Sequence, residues 1–244
     1  IRRRVSANKL NGIDSEWVDP HQIKKLVPIM NTENCRYPVL GASYQPRAGV
    51  ARHDAVAWGY AMRADELGVD IIQNCEVKKI RTAKGKVQGV ETSKGFIRSN
   101  RVGVVASGHT SVLAATAGIK LPLQSKALQA LVSEPIKPVI NTVVMSNAVH
   151  AYVSQSDKGE LVIGAGTDGY NSYTQRGGYN IIEDTIRAIV ELYPIFGKMK
   201  MLRQWGGIVD ITPDASPILS KCEVEGLYFN LSLIHISEPT RRSV

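Results

Sequence analysis

The sequence predicts a mixed α/β fold, an α/β and α+β mix, in which part of an open parallel sheet is joined to a mostly antiparallel sheet. Three observations predict it. The continuous apolar run Val102-Gly103-Val104-Val105-Ala106 reads as a strand buried on both faces, as parallel strands are, and it turns through Ser107-Gly108 into a helix. Beyond about residue 121 the pattern changes to several long strands, at 127–133, 142–145, 149–155 and 160–165. One helical pattern, at 181–192, interrupts them. The expected organisation is a first domain over 1–120, an antiparallel sheet with a helix over 121–200, a return to the first domain over 201–230, and a tail at 231–244 that does not belong to the fold.

The elements follow in order. Asp19-Pro20 is a helix start, with an acid at the N-cap and proline at the first helical position, and the helix must stop before Pro28. Residues 36–50 carry Pro38, Gly41, Pro46 and Gly49 and read as an extended loop. A helix over 55–67 is expected, capped by Asp54, with Val56, Tyr60 and Leu67 as its apolar stripe and Gly68 as its stop. Val69-Asp70-Ile71-Ile72 reads as a short strand. A small meander follows at 76–81, 86–92 and 96–97, turning at Lys84-Gly85 and Lys94-Gly95. A helix at 111–117 ends at Gly118. Ser156-Asp157-Lys158-Gly159 joins two of the long strands. Asn180 and Glu183 have capping-box spacing for the helix at 181–192, and 227–230 reads as a last buried strand.

Composition excludes several classes. The net charge is +8, but the bases are scattered in short runs such as Arg2-Arg3-Arg4 and Lys24-Lys25, so solvated surface is the expected reading and no nucleic acid is implied. No apolar run approaches the roughly 20 residues of a bilayer span, and no apolar stretch follows the basic start, so neither a membrane span nor a signal peptide is expected. The three cysteines, Cys35, Cys75 and Cys222, are far apart and form no CxxC, which fits reduced thiols of a cytoplasmic protein rather than a metal site or a disulfide framework. There is no HExxH, P-loop or metal cluster. Gly164-Ala165-Gly166 ends an antiparallel-type strand, the wrong context for a dinucleotide fingerprint.

Three places could carry chemistry. The first is the strand-turn-helix at 104–111, where Ala106 and Gly108 let a cofactor approach the backbone at a strand's carboxyl end; apolar strand, glycine, helix is also a common structural turn. The second is Arg52-His53-Asp54 at a helix start, where the partial positive charge favours an anion such as phosphate and Arg52 adds a fixed charge. A histidine there is otherwise a surface or capping residue. The third is the run 205–217, with Gly206-Gly207 and with Pro213 and Pro217 framing Asp214; its plain reading is a strand leaving the sheet through a rigid turn.

Together these segments resemble a known family. The chain is similar to the beta subunits of heterotetrameric sarcosine oxidases, in the D-amino-acid-oxidase-like superfamily of FAD enzymes. The pieces that carry the resemblance lie between about Ala7 and Asn230: ANKLNGIDSEWVDP, YPVLGASYQPRAGVARHDAVAWGYA, LGVDIIQNCEV, LQALVSEPIKPV, SDKGELVIGAG, LYPIF and RQWGGIVDITPDASPI. The resemblance implies a partial FAD-binding Rossmann-like domain with a mostly antiparallel substrate domain. It implies that His53, in ARHD, holds FMN covalently, with Arg52 beside it. This family often has a second histidine two places on, where this chain has Ala55. It implies that the backbone at Val77 meets the adenine end of a non-covalent FAD, that Ala106 and Gly108 form the turn past FAD, and that Pro213 and Asp214 lead to the flavin ring.

The implied reaction is oxidation of sarcosine, or a similar secondary or tertiary amine, to glycine. The one-carbon unit leaves as formaldehyde or passes to tetrahydrofolate, and electrons go from FAD to FMN to oxygen, giving hydrogen peroxide. The implied partners are alpha, gamma and delta subunits, with the tetrahydrofolate and NAD sites in alpha. A single-flavin amine oxidase or dehydrogenase of the dimethylglycine or glycine type, or a non-catalytic fragment, are the competing readings. The family's glycine-rich βαβ unit and its substrate arginine are expected before Ile1, and its flavin-side lysine after Asn230. The run Leu231-Ser232-Leu233-Ile234-His235-Ile236-Ser237 resembles an in-frame translation of a sequencing adapter. No catalytic residue of the family is therefore expected within the chain, and the chain by itself is expected to be inactive.

Overall fold

The computed structural model describes residues 1–214 and 216–231. The helices are α1 (Arg2–Leu10), α2 (Pro20–Leu26), α3 (His53–Glu66), α4 (Thr110–Thr116) and α5 (Tyr179–Leu192). The strands are β1 (Glu16–Val18), β2 (Ala42–Tyr44), β3 (Val77–Ala83), β4 (Lys86–Thr92), β5 (Gly95–Arg98), β6 (Val102–Val104), β7 (Gln124–Pro135), β8 (Val144–Ser146), β9 (Ala151–Gln155), β10 (Glu160–Thr167), β11 (Met201–Ile211), β12 (Ile218–Lys221) and β13 (Leu227–Leu231). The described residues form two compact units: residues 1–50, 127–169 and 174–207, and residues 51–126, 170–173 and 208–231. Residues 1–50 thus fall with the long strands, whereas the sequence boundaries grouped them with 51–120.

The first unit is built on a five-stranded sheet of order β11-β7-β10-β9-β8, with β7, β9 and β10 pairing antiparallel as their alternation predicts. Leu131, Val153, Leu161 and Ile163 from the sheet meet Ala188, Ile189 and Leu192 of α5 and Ile23 of α2 in one core. The Asp19 carboxylate accepts the Gln22 N–H at 2.8 Å while the Gln22 side chain accepts the Asp19 N–H at 2.9 Å, a complete capping box that starts α2 where Pro20 predicts. The loop over 36–50 contains a strand the sequence did not suggest, β2, antiparallel to β1. The Asn180–Glu183 box is not formed. The N-cap of α5 is Gly178, without a side-chain cap, and Glu183 instead pairs with Arg187 one turn on. β10 is antiparallel on both sides, and the space beside Gly164 is filled by the Tyr152 ring, so these glycines serve packing.

The second unit holds the meander β3-β4-β5, with Lys84 and Gly85 at φ 50° and 75°, the left-handed pair a two-residue hairpin turn needs. It also holds a three-stranded sheet, β12-β13-β6, in which β6 runs parallel to β13. Ile80, Val87, Val104, Ala114, Leu227, Phe229 and Leu231 form its core. Leu231, expected to lie outside the fold, completes β13 opposite Ile218 and is 1% exposed; residues 232–244 of the expected tail lie outside the described residues.

Three expectations fail here for one reason. Val69–Ile72 does not form a strand, Val105 is 63% exposed rather than buried on both faces, and none of the 14 residues of α3 is buried, its stripe of Val56, Tyr60 and Leu67 included. A strand needs a neighbour for its N–H and C=O groups, and an apolar stripe needs a surface to cover it; among the described residues of this unit, neither is supplied. Asp54 does not cap α3 either: Arg52 is the N-cap, and the Asp54 carboxylate accepts the N–H of Ala55.

Candidate functional site

All six residues singled out from sequence, Arg52, His53, Val77, Ala106, Gly108 and Asp214, fall in the second unit. The turn at 106–110 is the most built of their surroundings. β6 ends at Val104, Ser107–His109 forms a short 3-10 turn, and α4 follows directly. Ser107 sits at φ 46°, a left-handed conformation uncommon for a residue with a side chain. Gly108 is buried, and a Cβ there would collide with the Ile208 side chain. Its missing side chain is thus required by close packing against β11. The Ser107 hydroxyl donates to the Ile208 carbonyl at 3.4 Å, and the buried Ser125 hydroxyl donates to the Gly108 carbonyl at 2.5 Å.

Thr110 is fully buried, and its hydroxyl has no hydrogen-bond partner among the described residues. An unused buried hydroxyl costs free energy until an acceptor satisfies it, as a polar atom of a ligand laid along this turn would. The turn thus offers one unsatisfied hydroxyl that a ligand with a polar edge could use.

Val77 opens β3, half-buried, opposite Thr92. Three residues along the same strand the Ile80 N–H donates to the Thr116 hydroxyl at 3.0 Å, which ties β3 to α4 and places Val77 on a strand fixed against the helix of the turn. His53 is the first residue of α3 and is exposed. Asp214 is exposed in the loop between β11 and β12. Its carboxylate accepts the Ser216 N–H at 3.1 Å, and this hydrogen bond above all holds the carboxyl below the usual aspartate range. The Thr212 hydroxyl donates to the Ser216 carbonyl at 2.8 Å, closing the same loop. The loop is thus self-bound, and Asp214 is its fastener.

The model for FAD dependent oxidoreductases of the DAO family matches residues 1–234. The chain belongs to the FAD dependent oxidoreductase family. Within it, the chain is 56% identical over 229 residues to the sarcosine oxidase subunit beta of Rhodobacter capsulatus, covering 94% of this chain and 55% of that protein. It is 57% identical to the sarcosine oxidase subunit beta of an Arthrobacter species, over 93% of this chain and 56% of that one. The chain therefore spans a little over half the length of these curated relatives. Among solved structures it is similar to L-proline dehydrogenase from P. horikoshii, with TM-score 0.86, 26% identity, and coverage of 95% of this chain and 62% of that one. Glycine oxidase from Geobacillus kaustophilus shares the fold, with TM-score 0.81 at 18% identity, covering 100% of this chain and 67% of that one.

Thr110 and Ile208 lie within the segments expected from sequence, whereas Ser125 and Tyr173 lie outside them. Ser125 carried a readable signal, a polar residue at a buried position of an alternating strand. Tyr173 is placed by a contact with His109, 64 positions away in sequence.

Proposed function

We propose that the chain contributes the flavin-binding part of an enzyme that oxidises sarcosine or a closely similar small secondary or tertiary amine. The observation that carries this reading is the 48–57% identity to three sarcosine oxidase beta subunits over about nine-tenths of the chain, within a family defined by FAD. Arg52-His53-Asp54 at the start of α3 supports the finer reading, in which His53 holds FMN through its imidazole and Arg52 supplies positive charge beside it. The Ala106–Gly108 turn and the backbone at Val77 would lie along a non-covalent FAD.

Bound FAD would supply the two-electron oxidation of the amine and FMN the passage of those electrons to oxygen, so that sarcosine, oxygen and water give glycine, formaldehyde and hydrogen peroxide unless tetrahydrofolate takes the one-carbon unit. This chain's own share is orientation. The turn would supply an edge, the exposed imidazole would offer a tether, and Thr212 and Asp214 would hold Ser216 beside them. Alpha, gamma and delta subunits, with tetrahydrofolate and NAD held in alpha, complete the proposal, as does a cytoplasmic location. No helix among the described residues is long and apolar enough to cross a membrane.

Denaturing gel electrophoresis tests the tether. Flavin fluorescence should stay on the protein band and vanish in His53→Ala. A band without fluorescence in the parent protein, or with it in His53→Ala, removes the covalent assignment and favours a single-flavin amine oxidase. Anaerobic addition of sarcosine should bleach the flavin absorbance; bleaching by dimethylglycine or glycine alone moves the substrate assignment to those amines.

A further inference from the structure

The turn that would meet FAD is held from two directions. On one side stands Ile208, filling the space that a side chain at position 108 would need. On the other stands a short segment, Tyr170–Tyr173, from the connection between β10 and α5; it belongs to the second unit while the residues before and after it belong to the first. Two links join this segment to the turn. The Ser172 N–H donates to the Ser125 carbonyl at 2.8 Å, and the Ser125 hydroxyl donates to the Gly108 carbonyl at 2.5 Å. Next to Ser172, the Tyr173 ring lies 5.1 Å from the His109 imidazole with the planes at 43°, inside the range in which tilted aromatic rings attract.

Such bracing has a physical purpose. Ser107 is in a left-handed conformation that a residue with a side chain keeps only when its surroundings hold it. Left to itself, the turn would relax and have to be reordered whenever a ligand bound, which lowers affinity; a turn held in advance avoids that loss. Tyr173 remains 45% exposed, and His109 is exposed too, so their contact contributes little to the core. What it fixes is the direction of the turn.

We propose that Tyr170–Tyr173 is a strap that pre-shapes the turn Ala106–Thr110 for flavin, with Tyr173 and Ser125 as positioning residues that act through His109 and Gly108. The inference rests on the reading that this turn takes FAD.

The test uses the full chain with two readouts: amide hydrogen exchange over 106–110 without flavin, and FAD affinity by flavin fluorescence titration. Tyr173→Ala and Ser125→Ala should each speed exchange at the turn and weaken FAD binding by about tenfold, the scale of one aromatic contact or one buried hydrogen bond. Tyr173→Phe keeps the ring and should stay within about twofold of the parent on both readouts. Unchanged exchange in Tyr173→Ala and Ser125→Ala overturns the strap. Faster exchange with undiminished FAD affinity overturns its role toward flavin and leaves a purely structural brace. If the parent chain takes up no FAD, the flavin reading falls with this inference; that outcome is separate, because a failed strap alone leaves parent binding intact.

Discussion

The backbone N–H of Gly178 donates to the side-chain carbonyl of Gln129 across 2.7 Å, so the N-cap residue of α5 is held by a side chain 49 positions upstream. Gln129 is buried in β7 and is used at both ends of its amide: its oxygen also accepts from Gln204 at 2.9 Å, and its nitrogen donates to Asp168 at 3.2 Å. Gln129→Ala strands several of these groups at once. It should cost about 1–3 kcal/mol in a denaturant melt, the range for leaving buried polar groups unpaired. A loss below about 0.5 kcal/mol, the level of an ordinary surface substitution, would show that these contacts are dispensable.

Gly108 and Ile208 share one space. Gly108→Ala puts a methyl group into the Ile208 side chain and should destabilise the chain by about 1–3 kcal/mol, as overpacked sites do. Ile208→Ala opens that space at its own cost. The double variant should be more stable than the sum of the two predicts, with a coupling of about 1 kcal/mol or more in a double-mutant cycle. Strict additivity would refute the contact.

Tyr193 is fully buried, its hydroxyl has no partner among the described residues, and burial pushes its phenol far above the usual tyrosine range. Tyr193→Phe removes the unsatisfied hydroxyl and leaves the ring packed against Phe196. Its urea midpoint should rise, by about 1 kcal/mol of stability. The parent should also lose stability as pH climbs above the ordinary tyrosine value of about 10, because the unfolded chain ionises there first and the folded one does not. The phenylalanine variant should lack that component. A less stable variant would mean that the hydroxyl is satisfied in solution.

Asp214 titrates low because its charged form accepts the Ser216 N–H. The folded value lies below that of an unstructured aspartate, about 3.9, so the order this carboxylate confers is complete above that value. It is lost only as pH falls through the lower folded value. The Ser216 amide resonance, followed by acid titration, should report a midpoint below the ordinary one, and Asp214→Asn should flatten the titration. A midpoint at or above the ordinary value would contradict the hydrogen bond.

The features legible in the sequence are those set by neighbours along the chain. Asp19-Pro20 caps α2, and Lys84-Gly85 turns the meander, because the chemistry that fixes each lies within four residues. Val69–Ile72, Val105 and the stripe of α3 read as buried from apolarity alone, but periodicity reports what a segment would bury and not what is present to bury it. The Asn180–Glu183 box is not formed because α5 starts earlier, with Asn180 already inside it, and the Gln129 contact to Gly178 lies in no local window. The site divides the same way. The strand-turn-helix at 104–111 is legible, and the helix expected over 55–67 starts two residues earlier, at His53, while Ile208 and Tyr173 come to the turn from 100 and 64 positions away from Gly108 and His109. One wider signal was available. Ser125, Gln129 and Ser133 are polar at buried positions of β7, and each proves to be a hydrogen-bonding hub.

β6 is the end strand of its sheet among the described residues, bonded to β13 along one side. Its other side is a short row of peptide groups whose bonding capacity is not taken up by a strand of that sheet. Such a row is a template: it accepts whatever extended backbone arrives, from the same gene product or from another copy. The oligomeric behaviour of the purified chain should therefore depend on concentration, and handling it dilute, or with additives that compete for backbone hydrogen bonds, becomes a practical consequence of where one three-residue strand sits.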